Sequence, residues 1–409
     1  RLQHADLMIL GGLNEGVWPP ATDPGPWLNR PMRRELDVSQ PERRVGLSAH
    51  DFCQAAAGDE VLLTRAEKDG GAPTTPSRWL TRLSMLVEGA GFADRLENKR
   101  LVEIARRLDK PLSPPKAIEP PAPRPPVAAR PRALAVTQVE LWLRDPYALY
   151  AKKILKLEKL KPIDMDPSAA ERGSVIHKAL ENFVKLYPTA LPPDLEALSE
   201  LMRCGQEAFG ALLDQPGVRG FWWPRYERIA RWFLTFEQER RERAGTVLAE
   251  QTGTLSFPAP GGVFTLSAKA DRIELLGGGA IAIADYKTGT TPTGPQVKSG
   301  LNPQLTLEAA IALEGGFPGL AALSVDQLVY VALKGDAAAG EEQVLDFKDS
   351  DPNAEAAKAK AGLQKFVAQF DSPAQAYLSK PRVLLERHAG DYDHLARVKE
   401  WSSGDDDER

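Results

Sequence analysis

Ala268-Lys-Ala-Asp271-Arg-Ile-Glu274 and, a few residues later, Ile281-Ala-Ile-Ala-Asp285-Tyr-Lys287-Thr-Gly289 decide how this chain is read. Each joins a short apolar run to a carboxylate, and Gly277-Gly-Gly279 between them supplies a hairpin turn. Side chains on a strand alternate between faces, so Asp285 and Lys287 point the same way. If the two strands are neighbours, Asp271 and Asp285 converge although fourteen residues separate them. Hard oxygen ligands gathered in this way hold Mg²⁺ or Mn²⁺. A lysine beside the cation can orient a water or neutralise charge growing on a phosphate. Asp-x-Lys alone is common, and a surface strand pair with Asp271 in a turn is an equal reading of the local pattern.

Outward from this hairpin the pattern is mixed. Strands are predicted at 252–257, 263–274, 280–286 and 325–333, and helices at 194–214, 224–244, 303–314 and 353–370. The amphipathic stretch 170–186 is a helix with Val175, Ile176, Ala179, Leu180, Phe183 and Val184 on one face. It carries His177 four residues after Gly173, where an ordinary structural histidine is the simpler reading. Gln304 follows Asn302-Pro303 at a helix start, where a plain first-turn polar residue is equally natural. Thr137 is the expected N-cap of a helix over 138–143, and Pro146 opens the next.

Residues 111–131 are rich in proline, which favours an extended, semi-rigid spacer. The expected layout is a first domain at 1–110, a linker at 111–132, a second domain at 133–400 and an acidic tail at 401–409. In the first domain, 6–10 and 60–64 read as strands. Stretches 41–57, 76–88 and 97–109 read as helices, the second capped by Ser77.

The chain has 409 residues, 43% of them hydrophobic, and a net charge of −4. Any nucleic-acid site is therefore a local basic stripe. Two such candidates exist, each against the commoner reading of a solvated helix face or core aromatics. One is Arg144, Lys152, Lys153, Lys156, Lys159 and Lys161 with Tyr147 and Tyr150 interleaved; the other is Phe221-Trp222-Trp223-Pro-Arg225-Tyr226. Cys53 and Cys204 are far apart, which argues against a disulfide framework or cysteine zinc site and for a reducing cytoplasm. No apolar run reaches the ~18 residues of a membrane span, and no signal peptide opens the chain. It starts at Arg1 without Met and reads as part of a longer protein. No GxxxxGK[ST] loop is present to cradle a nucleotide phosphate.

Taken in order, Gly173/His177, Asp271, Asp285/Lys287 and Gln304 resemble the RecB-family branch of the PD-(D/E)XK nucleases. The resemblance implies an α/β, restriction-endonuclease-like mixed sheet flanked by helices. It implies that His177, Asp271, Asp285 and the carbonyl of Tyr286 bind Mg²⁺ or Mn²⁺, that Lys287 is catalytic, and that Gln304 supports it or contacts DNA. One departure is Glu308, which stands where the family's Gln-xxx-Tyr motif has its Tyr. Another is Asp145, at the place of the first of four cysteines that hold a 4Fe–4S cluster in many relatives. No Cys follows Cys204, so no iron–sulfur cluster is expected.

Ala5-Asp-Leu-Met-Ile-Leu-Gly-Gly-Leu-Asn-Glu-Gly-Val-Trp-Pro-Pro, Asp23-Pro-Gly-Pro-Trp-Leu-Asn-Arg-Pro-Met-Arg, Pro41-Glu-Arg-Arg and Leu63-Thr-Arg-Ala-Glu-Lys resemble the AddB family of helicase–nuclease subunits. That likeness implies a partial, inactivated RecA-like helicase-type segment ahead of the nuclease domain. There Arg65 is the nearest match to an arginine that reaches nucleotide phosphates. It further implies an AddA-like helicase partner, single-stranded DNA from duplex ends as substrate, a role in recombinational repair, and a bacterial, nucleoid-associated location. A catalytically silent DNA-binding scaffold subunit of such a complex is the alternative.

Overall fold

Short apolar runs broken by glycine give the first part of the chain only small elements. The computed structural model describes residues 5–402 except 24, 114–117, 161, 162, 164, 322, 349 and 382–389, and it divides the chain into two units, 1–116 and 117–409. Lys161 and most of the acidic tail lie outside the described residues. In the first unit, β1 (Met8–Leu10) leads through α1 (Arg30–Glu35) and α2 (Arg43–Ala56) to β2 (Val61–Leu63). The two strands pair in parallel, Met8↔Val61 to Leu10↔Leu63. A small hairpin of β3 (Lys68–Asp69) and β4 (Ala72–Pro73) follows, then α3 (Arg78–Gly89) and α4 (Lys99–Asp109). The Ser77 hydroxyl caps α3 by accepting from the Leu80 N–H at 3.2 Å. Leu10, Leu13 and Phe52 are the buried centre, with Trp18 and Trp79 packed against them and Trp27 exposed. This two-stranded parallel pair is the α/β character of the unit among its described residues. Arg65 is exposed and donates to the adjacent Ala66 carbonyl.

In the second unit the elements run β5 (Ala133–Ala135), α5 (Val136–Arg144), α6 (Pro146–Leu149), α7 (Ala169–Leu186), α8 (Asp194–Phe209), α9 (Trp223–Arg241), β6 (Ala244–Phe257), β7 (Phe264–Leu276) and β8 (Ala280–Lys287). Then come α10 (Gly294–Lys298), α11 (Gln304–Leu313), β9 (Ser324–Ala332), β10 (Glu341–Val344), α12 (Pro352–Phe370) and α13 (Val398–Trp401). The six strands form one mixed sheet. β7 is long enough to hold three partners. β6 lies antiparallel along one edge; on the other, β8 covers Arg272–Leu275 antiparallel and β5 covers Thr265–Ser267 in parallel. Between those two partners the second edge of β7 carries no strand, and Asp271 sits in that gap. β8 continues in parallel with β9, and β10 closes the far edge.

Each face of the sheet has its own apolar core. Ile281 and Ile283 of β8 pack with Leu305, Leu307 and Ile311 of α11 and with α5 and α12. Ala284 and Tyr286 face the other way, among Ile176, Phe183, Ile229 and Phe233 of α7 and α9. At ~25 cal/mol per Å² of apolar surface removed from water, these two layers supply the main drive to fold. Buried charge is balanced on the second face: fully buried Arg272 bridges Glu237 and Glu274, and Arg240 contacts Glu274 at 3.1 Å and Glu342 at 3.1 Å. Removing one partner there would strand a charge in the core. Among the described residues no helix is long and apolar enough to cross a membrane.

Two local expectations are corrected. The first helix begins at Val136, capped at Ala135, because β5 runs straight into it; Gln138 Oε1 accepts from the Ala135 N–H at 3.1 Å, and Thr137 lies inside the first turn. The proline-rich segment does not stand free throughout. Prolines remove donors but keep carbonyls, and Arg130, 3% exposed, collects them: its guanidinium donates to Pro125 O (3.0 Å) and Ser372 O (2.8 Å). The Tyr377 N–H donates to Pro123 O at 2.9 Å, and Arg132 pairs with Asp371. Residues 123–132 are thus an integral part of the second unit, bonded to its 370–377 stretch.

Candidate active site

Antiparallel pairing of β7 with β8 runs from Leu275↔Ile281 to Arg272↔Ala284, so one step further brings Asp271 opposite Asp285. There the ladder gives way to a side chain. Asp271 Oδ2 accepts from the backbone N–H of Tyr286 at 2.8 Å. Asp285 and Lys287 share the opposite face from Tyr286, as the period of two requires. Lys287 Nζ lies 2.6 Å from Asp285 Oδ2. The contact is off the angle of a hydrogen bond, and this oxygen, buried with the rest of Asp285, has no hydrogen-bond partner among the described residues. A lone pair is left for another ligand.

His177 arrives from α7. Gly173 lets that helix close in, because a Cβ there would stand 2.8 Å from Thr288 Oγ1, one residue past Lys287. One turn on, His177 Nδ1 lies 3.5 Å from Asp271 Oδ2. Ser168 anchors the helix start through a reciprocal cap with Glu171. Gln304 arrives from the first turn of α11. Its Nε2 donates to Asp285 Oδ1 at 2.5 Å, and its Oε1 accepts from Lys287 Nζ at 3.1 Å. Asn302, just before it, donates to Glu140 Oε1 at 2.8 Å and accepts from Arg144 at 3.0 Å, which fixes the mouth of α11 against α5.

Charge is tuned by burial and crowding. Asp285 is pushed up to about 6, first by burial and then by Asp271, against the pull of Lys287 and His177. Burial opposes the charged form of His177, yet Asp271 and Asp285 outweigh it and raise its pKa. Burial likewise opposes the Lys287 ammonium, and Asp285 and Asp271 outweigh it. Lys287 is therefore a secured cation beside a carboxylate that gives up its proton only near neutrality.

Sequence reasoning missed Glu250. One ligand atom each from His177, Glu250 and Asp271 lie within 4.8 Å of one another, a spacing at which they could hold one ion. Glu250 has φ +55°, left-handed backbone that a non-glycine residue rarely adopts. Around it the alternation changes phase. Val247 and Ala249 enter one core, Leu255 and Phe257 the other. That bend hides the strand over 244–251 from a period-two search, which is why β6 starts eight residues earlier than its sequence suggests. Counting back from Phe257↔Phe264 would have placed Glu250 opposite Asp271.

The sequence pattern of the PD-(D/E)XK nuclease superfamily matches residues 133–379. This chain belongs to that superfamily. Membership makes the second unit a nuclease-type hydrolase domain built on a mixed sheet flanked by helices. Relatives include an uncharacterized protein of Rickettsia bellii, 30% identical over 77% of this chain, and uncharacterized proteins of Rickettsia conorii (28% over 78%) and Rickettsia felis (29% over 76%). The chain spans 37% of the length of each of these three. The crystal structure of SSO0001 aligns at 12% identity with a TM-score of 0.24, covering 57% of this chain and 76% of that one.

Two further features of this PD-(D/E)XK domain bear on nucleic-acid contact. Glu308 is wholly buried, so it faces no nucleic acid. Burial, and then Asp285 and Asp271, raise its pKa well above the usual carboxylate range. The interleaved aromatics are also packed, not offered. Tyr147 and Tyr150 lie 5.8 Å apart in a cluster continued by Tyr377 and Phe370. Trp223 packs on Phe209 and Tyr226, and Phe221 is exposed. Lys152, Lys156 and Lys159 are exposed.

Proposed function

We propose that this chain is the nuclease-bearing C-terminal part of an AddB-like subunit, which hydrolyses single-stranded DNA with Mg²⁺ or Mn²⁺ in complex with an AddA-like helicase during double-strand-break processing. One observation carries the catalytic half of this reading: Asp271, Asp285 and Lys287, from two neighbouring strands, come together where the β7–β8 ladder ends, with the Lys287 side chain 29% exposed. The donors suit a hard divalent cation, since they are carboxylate oxygens and one imidazole. His177, Asp271, Asp285, Glu250 and the carbonyl of Tyr286 would hold it. Bound there, the cation would supply Lewis acidity toward the scissile phosphate and its attacking water.

The chain's own groups do the rest. Lys287, 29% exposed at its side chain, can reach a phosphate oxygen and offset charge that grows in the transition state. Gln304 holds Lys287 and Asp285 in fixed mutual register. Asp271 fixes the end of β8 through Tyr286 N–H and orients His177. Lys152, Lys156 and Lys159 offer phosphate contacts whose contribution weakens with salt. The repair role and the helicase partner rest on the resemblance of residues 1–90 to AddB-family subunits.

The test uses the full-length subunit with its helicase partner, on end-labelled single strands and duplexes, with Mg²⁺, Mn²⁺ or EDTA. The reading expects cleavage of single strands that EDTA removes and Lys287→Ala lowers by about a hundredfold or more, with DNA affinity kept. Wild-type protein inert with every divalent ion would make this a silent scaffold subunit.

A further inference from the structure

Glu308 lies one turn beyond Gln304 on α11, with no exposed surface and with Oε2 lacking a hydrogen-bond partner among the described residues. Its Oε1 accepts from Gln304 Nε2 at 3.2 Å. The same Nε2 donates to Asp285 Oδ1 at 2.5 Å, and Gln304 Oε1 accepts from Lys287 Nζ at 3.1 Å. A primary amide has two N–H donors and one carbonyl. With both donors taken by carboxyl oxygens, the carbonyl can face only Lys287. Asp285 alone would leave the amide free to swing about a single bond; Glu308 is the second point of attachment.

We propose that Glu308 is a positioning residue that locks the Gln304 amide, and through it sets where Lys287 Nζ meets the reacting phosphate. Packing does not account for Glu308: a buried carboxyl with one unmet oxygen opposes folding, and an apolar side chain of similar size would fit the same core. A group that serves a site can sit there at the expense of stability. Its claim on catalysis rests on the nuclease reading above, whereas its claim on the amide does not.

The experiment compares Glu308→Leu, Glu308→Gln, Gln304→Ala and the Gln304→Ala/Glu308→Leu double variant in the full-length subunit. The first readout is the side-chain amide of Gln304 by ¹⁵N NMR, assigned from its loss in Gln304→Ala. Wild type should show slow hydrogen exchange there, Glu308→Leu fast exchange, and Glu308→Gln wild-type behaviour. The second is steady-state cleavage of single-stranded DNA. Glu308→Leu should lower kcat by about tenfold to a hundredfold at unchanged KM, with Glu308→Gln within about threefold of wild type. The double variant should be no slower than Gln304→Ala, and Glu308→Leu should melt no lower than wild type. Unchanged amide exchange in Glu308→Leu overturns the proposal, whatever wild type cleaves. So do additive losses in the double variant, or equal losses in Leu and Gln variants with weakened Mn²⁺ binding, which would make Glu308 a cation ligand. Wild type without cleavage, in a protein whose amide still loosens in Glu308→Leu, sinks the nuclease reading and leaves the positioning contact standing.

Discussion

Asp271 accepts a hydrogen bond from the backbone N–H of Tyr286 at 2.8 Å, so one carboxylate both ends a strand pair and faces His177. The two roles separate by mutation. Asp271→Asn keeps an acceptor for the N–H and loses the charge. Its melting temperature should stay close to wild type while divalent-ion affinity falls by about tenfold or more. Asp271→Ala orphans the N–H and should cost a further ~1–3 kcal/mol of stability. Thermal melts beside calorimetric Mn²⁺ titrations check this. Equal melting of the two variants would contradict it.

Asp285 makes stability and activity pull apart with pH. Its pKa in the fold, about 6, lies above the ordinary 3.8. A carboxyl raised on folding stabilises fully below its unfolded value, and that stability is lost as pH rises through the folded value. In EDTA at pH 8, Asp285→Asn should therefore be more stable than wild type, by a margin on the order of 1–3 kcal/mol. An Asp285→Asn protein that melts lower at pH 8 in EDTA would refute the account of burial and crowding.

The same shift governs ion binding in the opposite sense. A cation held as proposed would need Asp285 ionised and His177 neutral, and both hold their protons more tightly than usual. Mn²⁺ affinity should fall as pH drops through about 6, and binding near that pH should release protons. Titrations in two buffers of different ionisation enthalpy measure the proton count directly; zero release at pH 6 would count against Asp285 as a ligand.

Gly173 meets Thr288 at a distance that leaves no room for a Cβ. Gly173→Ala should push α7 off the strand end, displace His177 and cost about 1–3 kcal/mol. Thr288→Ala removes the obstructing hydroxyl, so the double variant should recover most of the loss. Additive destabilisation would show that the close approach is not what the glycine serves.

Arg130 gives the proline-rich segment a structural task, because it binds the carbonyl of Pro125 and that of Ser372, both within the second unit. A fragment that starts at residue 118 should unfold at a higher temperature than one that starts at 133, and Arg130→Ala should reproduce most of the difference. Matching melts for the two fragments would mean that 118–132 is a spacer after all.

Much of the site was legible because it sits on regular structure. Asp285 and Lys287 lie two apart on a strand, and Asp271 lies across a glycine turn whose register can be counted. The Gly173 to His177 spacing is one helical turn. What escaped was set by departures from regularity. Glu250 sits on left-handed backbone that breaks the alternation around it, so it reads as an ordinary surface carboxylate. Glu308 reads as a lost aromatic; helical spacing sets it near Gln304, but only the packed fold shows it buried and bonded to the Gln304 amide. Tyr147 and Tyr150 stand among basic residues as a base-stacking platform would, but tertiary packing sets Tyr147 against Tyr150 and Tyr150 against Tyr377. The long Arg130 contacts join residues some 240 apart, which no local pattern encodes.

The central claim is that Asp285 holds the ion on which phosphodiester cleavage depends. The direct measurement is Mg²⁺-dependent turnover of a single-stranded oligonucleotide by full-length wild type and Asp285→Ala, purified in parallel, alongside DNA binding. The account expects turnover to drop at least about a thousandfold with DNA affinity unchanged. Cleavage by Asp285→Ala at the wild-type rate, under the same Mg²⁺ dependence, would contradict it.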